Sequence, residues 1–408
     1  MFRKFILLFF FSSLLVFSFC NFSKQNGTER KEHTSTNTVS IQTDKPITGA
    51  EQLPVYLPDL EGKKVGLVVN HTSMIGSTHL LDTLLLSGIN IVNVYAPEHG
   101  FRGKADAGEK VKNQVDPATN TPIISLYGKN KKPSAELLKG IDILVFDMQD
   151  VGARFYTYYS TMFYCMQAAA ELNIPMIILD RPNPNGHYID GPILDTATCK
   201  SFVGLLPLPI VHALTLGELA QMINGEDWLG KGLKCKTKII PLKNYTHKTT
   251  YSLPVKPSPN LPNEQSIALY PSVCLFEGTK MCIGKGTEYP YQVVVAPDTS
   301  FGKFSFTPTN FQGMAKDPIF ANQKCYGLDL RTVKVEGFTL SYLIDMYKKE
   351  KDKKTFFIPF FENIIGNKLV RGQIEKGMSE KEIKATWTKE LDQYKKMRKN
   401  YLLYTDFE

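Results

Sequence analysis

Four short runs of apolar residues, each followed at once by polar residues, limit the fold of this chain more than any other feature of its sequence. The runs cover residues 64–69, 89–96, 141–146 and 175–179. Stretches with helical periodicity lie at residues 78–86, 134–138 and 156–172. Apolar strands that alternate with helices are typical of βαβ units, in which helices cover both faces of a parallel sheet. The sequence therefore predicts an α/β fold built on a mostly parallel sheet.

Each predicted strand ends on residues that can make hydrogen bonds. The four endings are Asn70-His71-Thr72, Glu98-His99-Gly100-Phe101-Arg102-Gly103, Asp147-Met148-Gln149-Asp150 and Asp180-Arg181-Pro182-Asn183. Ligands of open parallel sheets bind outside the carboxyl ends of the strands, so these residues predict a concave polar cleft. Their amides, carboxylates and guanidinium groups suit a polyhydroxylated ligand that carries an amide and an acid. Neither GxGxxG nor a GxxxxGK motif follows any strand, which argues against a phosphate-binding loop.

Glu98 is the predicted catalytic acid. It follows Pro97 on a turn flanked by glycine, where a carboxyl group can lose contact with water. Desolvation raises the pKa of a carboxyl group, as a general acid at neutral pH requires. His99 is a candidate for orienting this carboxyl. The alternative is a structural role, in which Glu98 pairs with Arg102 and fixes the loop.

A glycosidase usually needs a second carboxylate, or else uses the acetamido oxygen of its own substrate. Glu277 is the preferred second carboxylate because it lies between apolar residues and a glycine, in Leu275-Phe276-Glu277-Gly278. Capping of a helix or bonding of backbone amides is the alternative role for Glu277. The other candidate carboxylates are Asp106, Glu109, Asp147, Asp150, Asp180 and Glu288.

Arg154 and Tyr156 follow the third predicted strand, at the predicted start of a helix. A guanidinium group there could bind a carboxylate through two hydrogen bonds, and the helix terminus would add to the attraction. An internal pair between Arg154 and Asp150 is the alternative. Tyr156 is either a packing residue or a platform for a sugar ring.

The N-terminus has the pattern of a signal peptide, predicted to cover residues 1–20. Arg3 and Lys4 precede apolar residues 5–11 and 14–17, which are too few to span a bilayer. Cys20 ends this segment as a lipid-attachment site would, whereas the bulky Phe19 before it fits ordinary cleavage nearby. Residues 21–52 are polar and predict a disordered tether. We therefore expect an exported protein that is periplasmic, extracellular or anchored to the cell envelope by a lipid on Cys20.

Charge and cysteine content argue against two classes of protein. The net charge of +8 is modest for 408 residues, so we expect no nucleic-acid partner. The six cysteines after Cys20 lack the spacing of a zinc site, and we expect buried thiols, with a bond between Cys274 and Cys282 left open. No metal and no cofactor are predicted.

The chain beyond the tether is longer than one hydrophobic core usually supports, which predicts two domains. Residues 53–205 form the first and carry most of the strand-end residues, and residues 206–408 form the second. Two long loops rich in proline, at 181–209 and 253–262, are expected to carry function. The second domain is predicted to have a helix at 215–223 capped by Thr215 and Glu218, a strand at 331–335, and helices at 340–348 and 379–399.

Several longer blocks resemble the family once designated domain of unknown function 1343. In the first half they are Gly66-Leu67-Val68-Val69-Asn70-His71-Thr72, Pro97-Glu98-His99-Gly100-Phe101-Arg102-Gly103, Asp106-Ala107-Gly108-Glu109, Phe146-Asp147-Met148-Gln149-Asp150-Val151-Gly152-Ala153-Arg154-Phe155-Tyr156-Thr157 and Leu179-Asp180-Arg181-Pro182-Asn183-Pro184. In the second half they are Pro257-Ser258-Pro259-Asn260, Phe276-Glu277-Gly278-Thr279, Gly284-Lys285-Gly286-Thr287 and Tyr401-Leu402-Leu403-Tyr404. The resemblance covers residues 53–404. Lys285 departs from the arginine expected between the two glycines, and Asn185 from an apolar residue.

This resemblance implies a Rossmann-like larger domain, a smaller α/β domain and a cleft between them. It implies an exo-β-N-acetylmuramidase, which removes N-acetylmuramic acid from the non-reducing end of peptidoglycan fragments, and it favours Glu98 as the catalytic residue. The lactyl carboxylate of that sugar would explain an arginine in the cleft. The residues expected to bind the substrate are Asn70, His99, Arg102, Gln149, Asp150, Arg154, Tyr156, Asn183, Asn260 and Thr287.

Three other functions remain open on the sequence. An amidase or esterase that acts on the cell wall is disfavoured because no GxSxG motif is present. A metal-dependent hydrolase would use Asp147 and Asp180. A non-catalytic protein that binds muropeptides at the cell envelope would keep the cleft without turnover.

Overall fold

The computed structural model describes residues 45–97, 100–101, 114–311 and 318–408. Glu98, His99, Arg102, Asp106 and Glu109 lie outside the described residues, and so do the predicted signal peptide, Cys20 and the first part of the tether. The end of the predicted tether is packed, because Ile47 pairs with Lys243 and Ala50 is buried. The folded chain therefore begins before the predicted boundary at residue 52.

The strands of the described residues form three sheets. They are β1 (Lys64–Val69), β2 (Met74–Ile75), β3 (Thr78–His79), β4 (Asn90–Ala96), β5 (Gln114–Val115), β6 (Pro122–Ser125), β7 (Ile143–Asp147), β8 (Met176–Leu179), β9 (Thr237–Ile240), β10 (Val293–Ala296), β11 (Phe304–Phe306) and β12 (Cys325–Asp329). The main sheet has the order β5-β6-β4-β1-β7-β8-β9, and its pairs are parallel except β5 with β6. The predicted α/β fold with a mostly parallel sheet is confirmed.

The helices of the described residues cover the main sheet and build the second half of the chain. They are α1 (Leu53–Leu60), α2 (Leu80–Leu86), α3 (Tyr158–Glu171), α4 (Leu216–Gly225), α5 (Glu264–Val273), α6 (Ser341–Lys349), α7 (Lys353–Phe356), α8 (Phe361–Ile365), α9 (Leu369–Glu375), α10 (Glu380–Ala385) and α11 (Thr388–Arg398). The predicted capping box is present on α4, where Thr215 and Glu218 each bond the other's backbone amide. None of these helices has the length and apolar character needed to cross a bilayer.

The central strands are apolar on both faces because each face meets its own core. Leu144 and Phe146 of β7 pack in the cluster that contains α3 and α4. Ile143 and Val145 of the same strand pack in the cluster that contains α1 and α2. This alternation follows from the two-residue period of a strand, and it explains the continuous apolar runs of the sequence.

The order of the strands reverses at β1. From β1 the chain adds β4 and β6 on one side, and then β7, β8 and β9 on the other. The loops that leave the carboxyl ends of β1 and β7 consequently run in opposite directions, an arrangement that in open α/β sheets leaves a crevice between them. Such a switch point is where open α/β sheets bind their ligands.

Several predictions for the second half are wrong in detail. The predicted strand at 331–335 has no strand structure, and the sequence instead forms β12 just before it, paired with β10 and β11 in a three-stranded antiparallel sheet. The predicted final helix is divided into α10 and α11.

In the first half, residues 135–138 of the helix predicted at 134–138 form turns instead. The six described cysteines are buried free thiols. Residues Asp44–Glu408 group as one compact unit, and the boundary at residue 205 stays a prediction.

Candidate active site

The crevice expected at the switch point between β1 and β7 lies where buried polar residues hold one another in place. Asn70 follows β1, and its Oδ1 accepts hydrogen bonds from the backbone amide and the hydroxyl of Thr72, at 2.9 and 2.6 Å. The Thr72 hydroxyl in turn accepts a bond from the Gln149 amide, at 3.0 Å, and so ties β1 to β7. The Asn70 Nδ2 atom is buried and has no hydrogen-bond partner among the described residues.

Asp150 is the most perturbed carboxyl group at this crevice. Its Oδ1 accepts a bond from the Gly152 amide at 2.8 Å, while its buried Oδ2 has no hydrogen-bond partner among the described residues. Burial raises the pKa of Asp150 to about 7, although backbone amides, among them that of Gly152, oppose the shift. A carboxyl with such a pKa can accept or release a proton near neutral pH.

Gln149 binds the backbone rather than facing outward. Its side-chain nitrogen donates to the carbonyl oxygens of Asp150 and Pro182, at 2.8 and 2.7 Å. These two bonds hold the end of β7 against the end of β8. The predicted role of Gln149 in substrate binding stays a prediction, and the described role of its nitrogen is to shape the crevice.

Asp147 and Asp180 are committed to contacts within the protein. Asp147 forms a two-point salt bridge with Arg181, from Nε to Oδ1 at 2.5 Å and from Nη2 to Oδ2 at 2.9 Å. Asp180 accepts bonds from the hydroxyls of Thr215 and Tyr404. These contacts leave the metal-hydrolase alternative without its two carboxylates. Within the described ranges, no cluster of three or more His, Cys, Asp or Glu side chains could hold a metal.

The structure does not bring Arg154 to the crevice. The side chain is fully buried, and its terminal nitrogens donate to four backbone carbonyls, at 2.8 Å to Pro192 and Leu208, 3.2 Å to Ile364 and 2.7 Å to Ile365. Ile364 and Ile365 close the short helix α8, whose last carbonyls have no partner inside the helix. The predicted carboxylate clamp is therefore corrected to a structural cap, and the alternative pair with Asp150 is not formed.

Asn183 and Thr287 also have internal roles. The Asn183 amide donates to the Leu214 carbonyl at 2.9 Å, and its oxygen accepts a bond from the Asn185 amide at 2.8 Å. The Thr287 hydroxyl donates to the Gly284 carbonyl at 2.6 Å and closes a tight turn. Both side chains are almost completely buried. We therefore leave both out of the candidate site.

The proline-rich loop 253–262 lies against the carboxyl edge of the sheet. His71, after β1, contacts the Lys256 carbonyl at 2.8 Å through Nε2, and the Tyr156 hydroxyl donates to the Pro257 carbonyl at 2.6 Å. Burial raises the pKa of Tyr156 well above 10, so this hydroxyl keeps its proton. The loop forms one wall of a pocket at the start of α3.

This pocket, which we call the aromatic pocket, has a volume of about 190 Å³. Its walls are Tyr127, Phe155, Tyr156, Thr157, Tyr158, Phe202, Val203, Ser258, Asn260, Leu261, Tyr270, Glu277, Lys285 and Tyr291. Tyr270 meets Tyr156 and Tyr291 edge to face, with ring centres 6.0 and 4.9 Å away. Tyrosine presents an apolar ring and a polar tip, which suits a ligand with both C–H faces and hydroxyls.

Glu277 supplies the carboxylate of the aromatic pocket. Its Oε1 accepts a bond from the Tyr291 hydroxyl at 2.6 Å and from the Lys285 ammonium at 3.1 Å. Both donors stabilise a negative charge on Glu277. Asn260 lies beside this group, where its Oδ1 accepts a bond from the Gly286 amide at 3.0 Å and fixes the loop that carries Lys285. The pocket thus combines aromatic walls with an ion pair.

Two family models match consecutive parts of the chain. The model for the N-terminal part of the exo-β-N-acetylmuramidase NamZ matches residues 65–265, and the model for its C-terminal part matches residues 268–404. The chain belongs to the NamZ family. The junction of the two models, between residues 265 and 268, falls at the start of α5.

Known NamZ-family proteins are similar over most of their length. The peptidoglycan β-N-acetylmuramidase NamZ of Bacillus subtilis is 36% identical over 95% of this chain and 99% of its own. Crystal structures of two DUF1343 proteins from Bacteroides fragilis are also similar. One is 49% identical with a TM-score of 0.82, over 89% of this chain, and the other is 28% identical with a TM-score of 0.73, over 88%; each is matched over 99% of its own chain.

The sequence missed part of the aromatic pocket of this NamZ-family chain. No local pattern marks Tyr127, Tyr270 and Tyr291 as pocket residues, because aromatic residues at such spacings are more often found in cores. In the sequence Lys285 is only a departure from the arginine that the family resemblance predicts. Its position between two glycines was the available signal, since a flexible backbone at a pocket rim often carries a functional side chain.

Proposed function

We propose that this chain is an exo-acting glycoside hydrolase that releases N-acetylmuramic acid from the non-reducing end of peptidoglycan fragments. The aromatic pocket carries the proposal, because it holds a carboxylate and a cation among tyrosine walls at the carboxyl edge of the sheet. Membership of the NamZ family supports it, and so does the similarity to the peptidoglycan β-N-acetylmuramidase of Bacillus subtilis.

The size of the aromatic pocket supports exo action. Its volume of about 190 Å³ is below the roughly 300–1,000 Å³ of pockets that take drug-sized ligands. One sugar ring is therefore a better match than a length of chain. An enzyme that encloses only the terminal sugar removes one residue at a time.

We assign the general acid to Glu98, which lies outside the described residues. The register of the sheet supports this choice, since Ala96 of β4 pairs with Ser125 of β6. Glu98 follows Ala96 by two residues, as Tyr127 of the aromatic pocket follows Ser125. In the proposed step the Glu98 carboxyl gives its proton to the bridging oxygen while the bond from that oxygen to the anomeric carbon breaks. A water molecule then bonds to the anomeric carbon, and the proton it releases returns to the Glu98 carboxylate.

We assign the second carboxylate to Glu277. A negative charge held by Tyr291 and Lys285 would stabilise the positive charge that develops on the sugar ring in the transition state. Lys285 is also the cation that we propose binds the lactyl carboxylate of the muramyl sugar. Arg154 is not available for that role because its guanidinium group binds backbone carbonyls.

The test is turnover of a chromogenic N-acetylmuramide by single variants. We expect Glu98→Gln and Glu277→Gln each to lower kcat by about a hundredfold or more, with the melting temperature preserved. Glu136→Gln, at an exposed site away from the pocket, is the matched control and should keep parental turnover. Equal turnover by Glu98→Gln and the parent would remove Glu98 from the mechanism. Binding without any turnover by the parent would favour the muropeptide-binding alternative.

We further propose that the protein is exported and that a lipid on Cys20 anchors it to the cell envelope. The support is the order of charged, apolar and polar residues around Cys20 in the sequence. In cells, the parent should fractionate with membranes and Cys20→Ser should appear in the soluble envelope fraction. A soluble parent would contradict the lipid anchor and leave export as a separate question, answered by whether the protein is found outside the cytoplasm.

A further inference from the structure

A second cavity, which we call the strand-end cavity, lies beyond β8 and β9 and has a volume of about 510 Å³. Tyr188 comes from the segment after β8, and Thr250 and Tyr251 come from the segment after β9. Ile267 of α5 and Phe407 of the C-terminus complete its apolar surface. The cavity has more than twice the volume of the aromatic pocket, and the proposed cleavage of a terminal sugar makes no use of it.

A third cavity shares wall residues with both the strand-end cavity and the aromatic pocket. This cavity, of about 480 Å³, lies along the proline-rich loop. Leu253, Glu264 and Ile267 line both the strand-end cavity and this third cavity. Leu261 lines both the third cavity and the aromatic pocket. The three cavities therefore share walls along one path at the carboxyl edge of the sheet.

The distance along this path exceeds the size of one sugar. Tyr127 of the aromatic pocket follows β6, and Tyr188 of the strand-end cavity follows β8. Four strand-to-strand steps separate β6 from β8, which at about 4.8 Å each amounts to about 19 Å. A ligand that reaches the strand-end cavity while its end occupies the aromatic pocket must be an extended chain.

The lining of the strand-end cavity suits a polyhydroxylated chain. Thr249, Thr250 and Tyr251 offer hydroxyl groups, and the rings of Tyr188 and Phe407 offer apolar faces. The only charged lining residues within the described part of the chain, Lys248 and Glu264, have opposite signs and leave no net charge. A strongly anionic ligand would instead need an excess of cations.

We propose that the strand-end cavity binds the reducing-side part of the glycan, that is, the β-linked N-acetylated amino sugars that remain after the terminal residue is removed. The proposal rests on the proposed exo-muramidase function and adds to it a site for the leaving chain. Binding energy from this remote part of the substrate would hold the terminal sugar in the aromatic pocket. Fragments of several sugars are therefore the preferred substrates.

Three substrates test this assignment: a chromogenic N-acetylmuramide, a tetrasaccharide without peptide that ends in N-acetylmuramic acid, and the same tetrasaccharide with a stem peptide on its inner muramyl sugar. Tyr251→Ala and Thr250→Val alter the strand-end cavity, and Tyr326→Ala, on β12 and absent from the walls of the three cavities, is the matched control. We expect Tyr251→Ala to raise KM for the peptide-free tetrasaccharide about tenfold, which equals about 1.4 kcal/mol. Turnover of the chromogenic substrate should stay within about twofold of the parent.

Each contrary result has a distinct meaning. Unchanged KM for the peptide-free tetrasaccharide in both cavity variants would overturn the glycan site, and so would an equal loss on all three substrates. An effect confined to the peptide-bearing substrate would assign the cavity to the stem peptide and also overturn it. No turnover by the parent on any substrate would refute the proposed function instead. In that case, calorimetric titration with the peptide-free tetrasaccharide tests whether the strand-end cavity binds glycan. Equal affinity of the parent and Tyr251→Ala for the tetrasaccharide would overturn the glycan site.

Discussion

Asp150 and Asp180 follow neighbouring strands of the same sheet, yet the protein treats the two carboxyl groups differently. Asp180, after β8, accepts hydrogen bonds from Thr215, Tyr404 and the Gly217 amide, at 2.7, 2.5 and 2.8 Å. Asp150, after β7, leaves Oδ2 without a hydrogen-bond partner among the described residues. Burial is the main cause that raises the pKa of both groups, to about 6 for Asp180 and about 7 for Asp150.

Asp180 is a structural carboxyl group, whereas Asp150 has an oxygen, Oδ2, that can accept a further hydrogen bond. Donors to Asp180 come from α4 and from the C-terminal segment, so this group joins distant parts of the chain. A buried polar atom without a partner costs free energy, and native proteins keep few of them outside functional sites. The switch point between β1 and β7 has two such atoms, on Asn70 and Asp150. Burial alone therefore does not distinguish the two roles, whereas the count of partners does.

The largest expected effect is on stability, from Asp180→Ala. The variant removes the acceptor for four donors, the Thr215 and Tyr404 hydroxyls and the Arg181 and Gly217 amides, and we expect the free energy of unfolding to fall by about 3–5 kcal/mol. Asp59→Ala is the control, because its ion pair with Lys238 is partly exposed and contributes at most about 1 kcal/mol. Denaturant unfolding of both variants measures the two losses. Similar losses would show that Asp180 is no more structural than a surface ion pair.

The next effect concerns substrate choice and the ion pair of the aromatic pocket. If Lys285 binds the lactyl carboxylate, Lys285→Met should lower kcat/KM for the N-acetylmuramide relative to the N-acetylglucosaminide by about 10–100-fold. The ratio isolates this contact, since any loss through Glu277 acts on both substrates and cancels. Lys285→Arg keeps the charge and should retain most of the preference. If Lys285→Met and the parent have the same ratio of kcat/KM for the two substrates, Lys285 is excluded as the group that binds the lactyl carboxylate.

The sequence predicted the sheet well because its signal is local. Residues 64–69 form β1 as predicted, and the other three runs match β4, β7 and β8 within two residues at each end. A strand covered on both faces has to be apolar throughout, so its pattern is visible without knowledge of its neighbours. The polar edge followed from the same pattern, and it led to Asn70, Asp150 and the start of α3.

The sequence could not predict contacts between distant segments. The local pattern predicts that Arg154 faces the cleft, but its guanidinium group binds carbonyls of Ile364 and Ile365, more than 200 residues away in the chain. Glu277, Lys285 and Tyr291 meet the start of α3 only after the second half of the chain has folded against the first. A local sequence pattern shows which strand end or helix carries a side chain, whereas the contacts of that side chain depend on the tertiary fold.

A smaller effect is expected on the pH dependence of stability. The folded protein keeps a proton on Asp150 up to about pH 7, while the unfolded chain releases it near pH 4, so this group makes stability fall as pH rises between those values. Asp180 acts with the same sign, but only up to about pH 6. Between pH 6 and 7, Asp150→Asn should therefore gain stability relative to the parent, by up to about 1.4 kcal/mol. Denaturant unfolding of both proteins at pH 6 and pH 7 measures this gain. If the difference in the free energy of unfolding between Asp150→Asn and the parent is the same at both pH values, the raised pKa of Asp150 is contradicted.

The smallest expected effect comes from one hydroxyl at the structural carboxyl group. Tyr404→Phe removes a single donor to Asp180 and leaves Thr215 and Gly217 in place, so we expect a loss of about 1 kcal/mol. The pKa of Asp180 should rise further, because the Tyr404 hydroxyl is one of the donors that lower it. Turnover should match that of the parent, since Tyr404 is not among the walls of the aromatic pocket. A fall in turnover larger than the fall in folded fraction would mean that the C-terminal segment acts on the site, and the division between the two carboxyl groups would no longer hold.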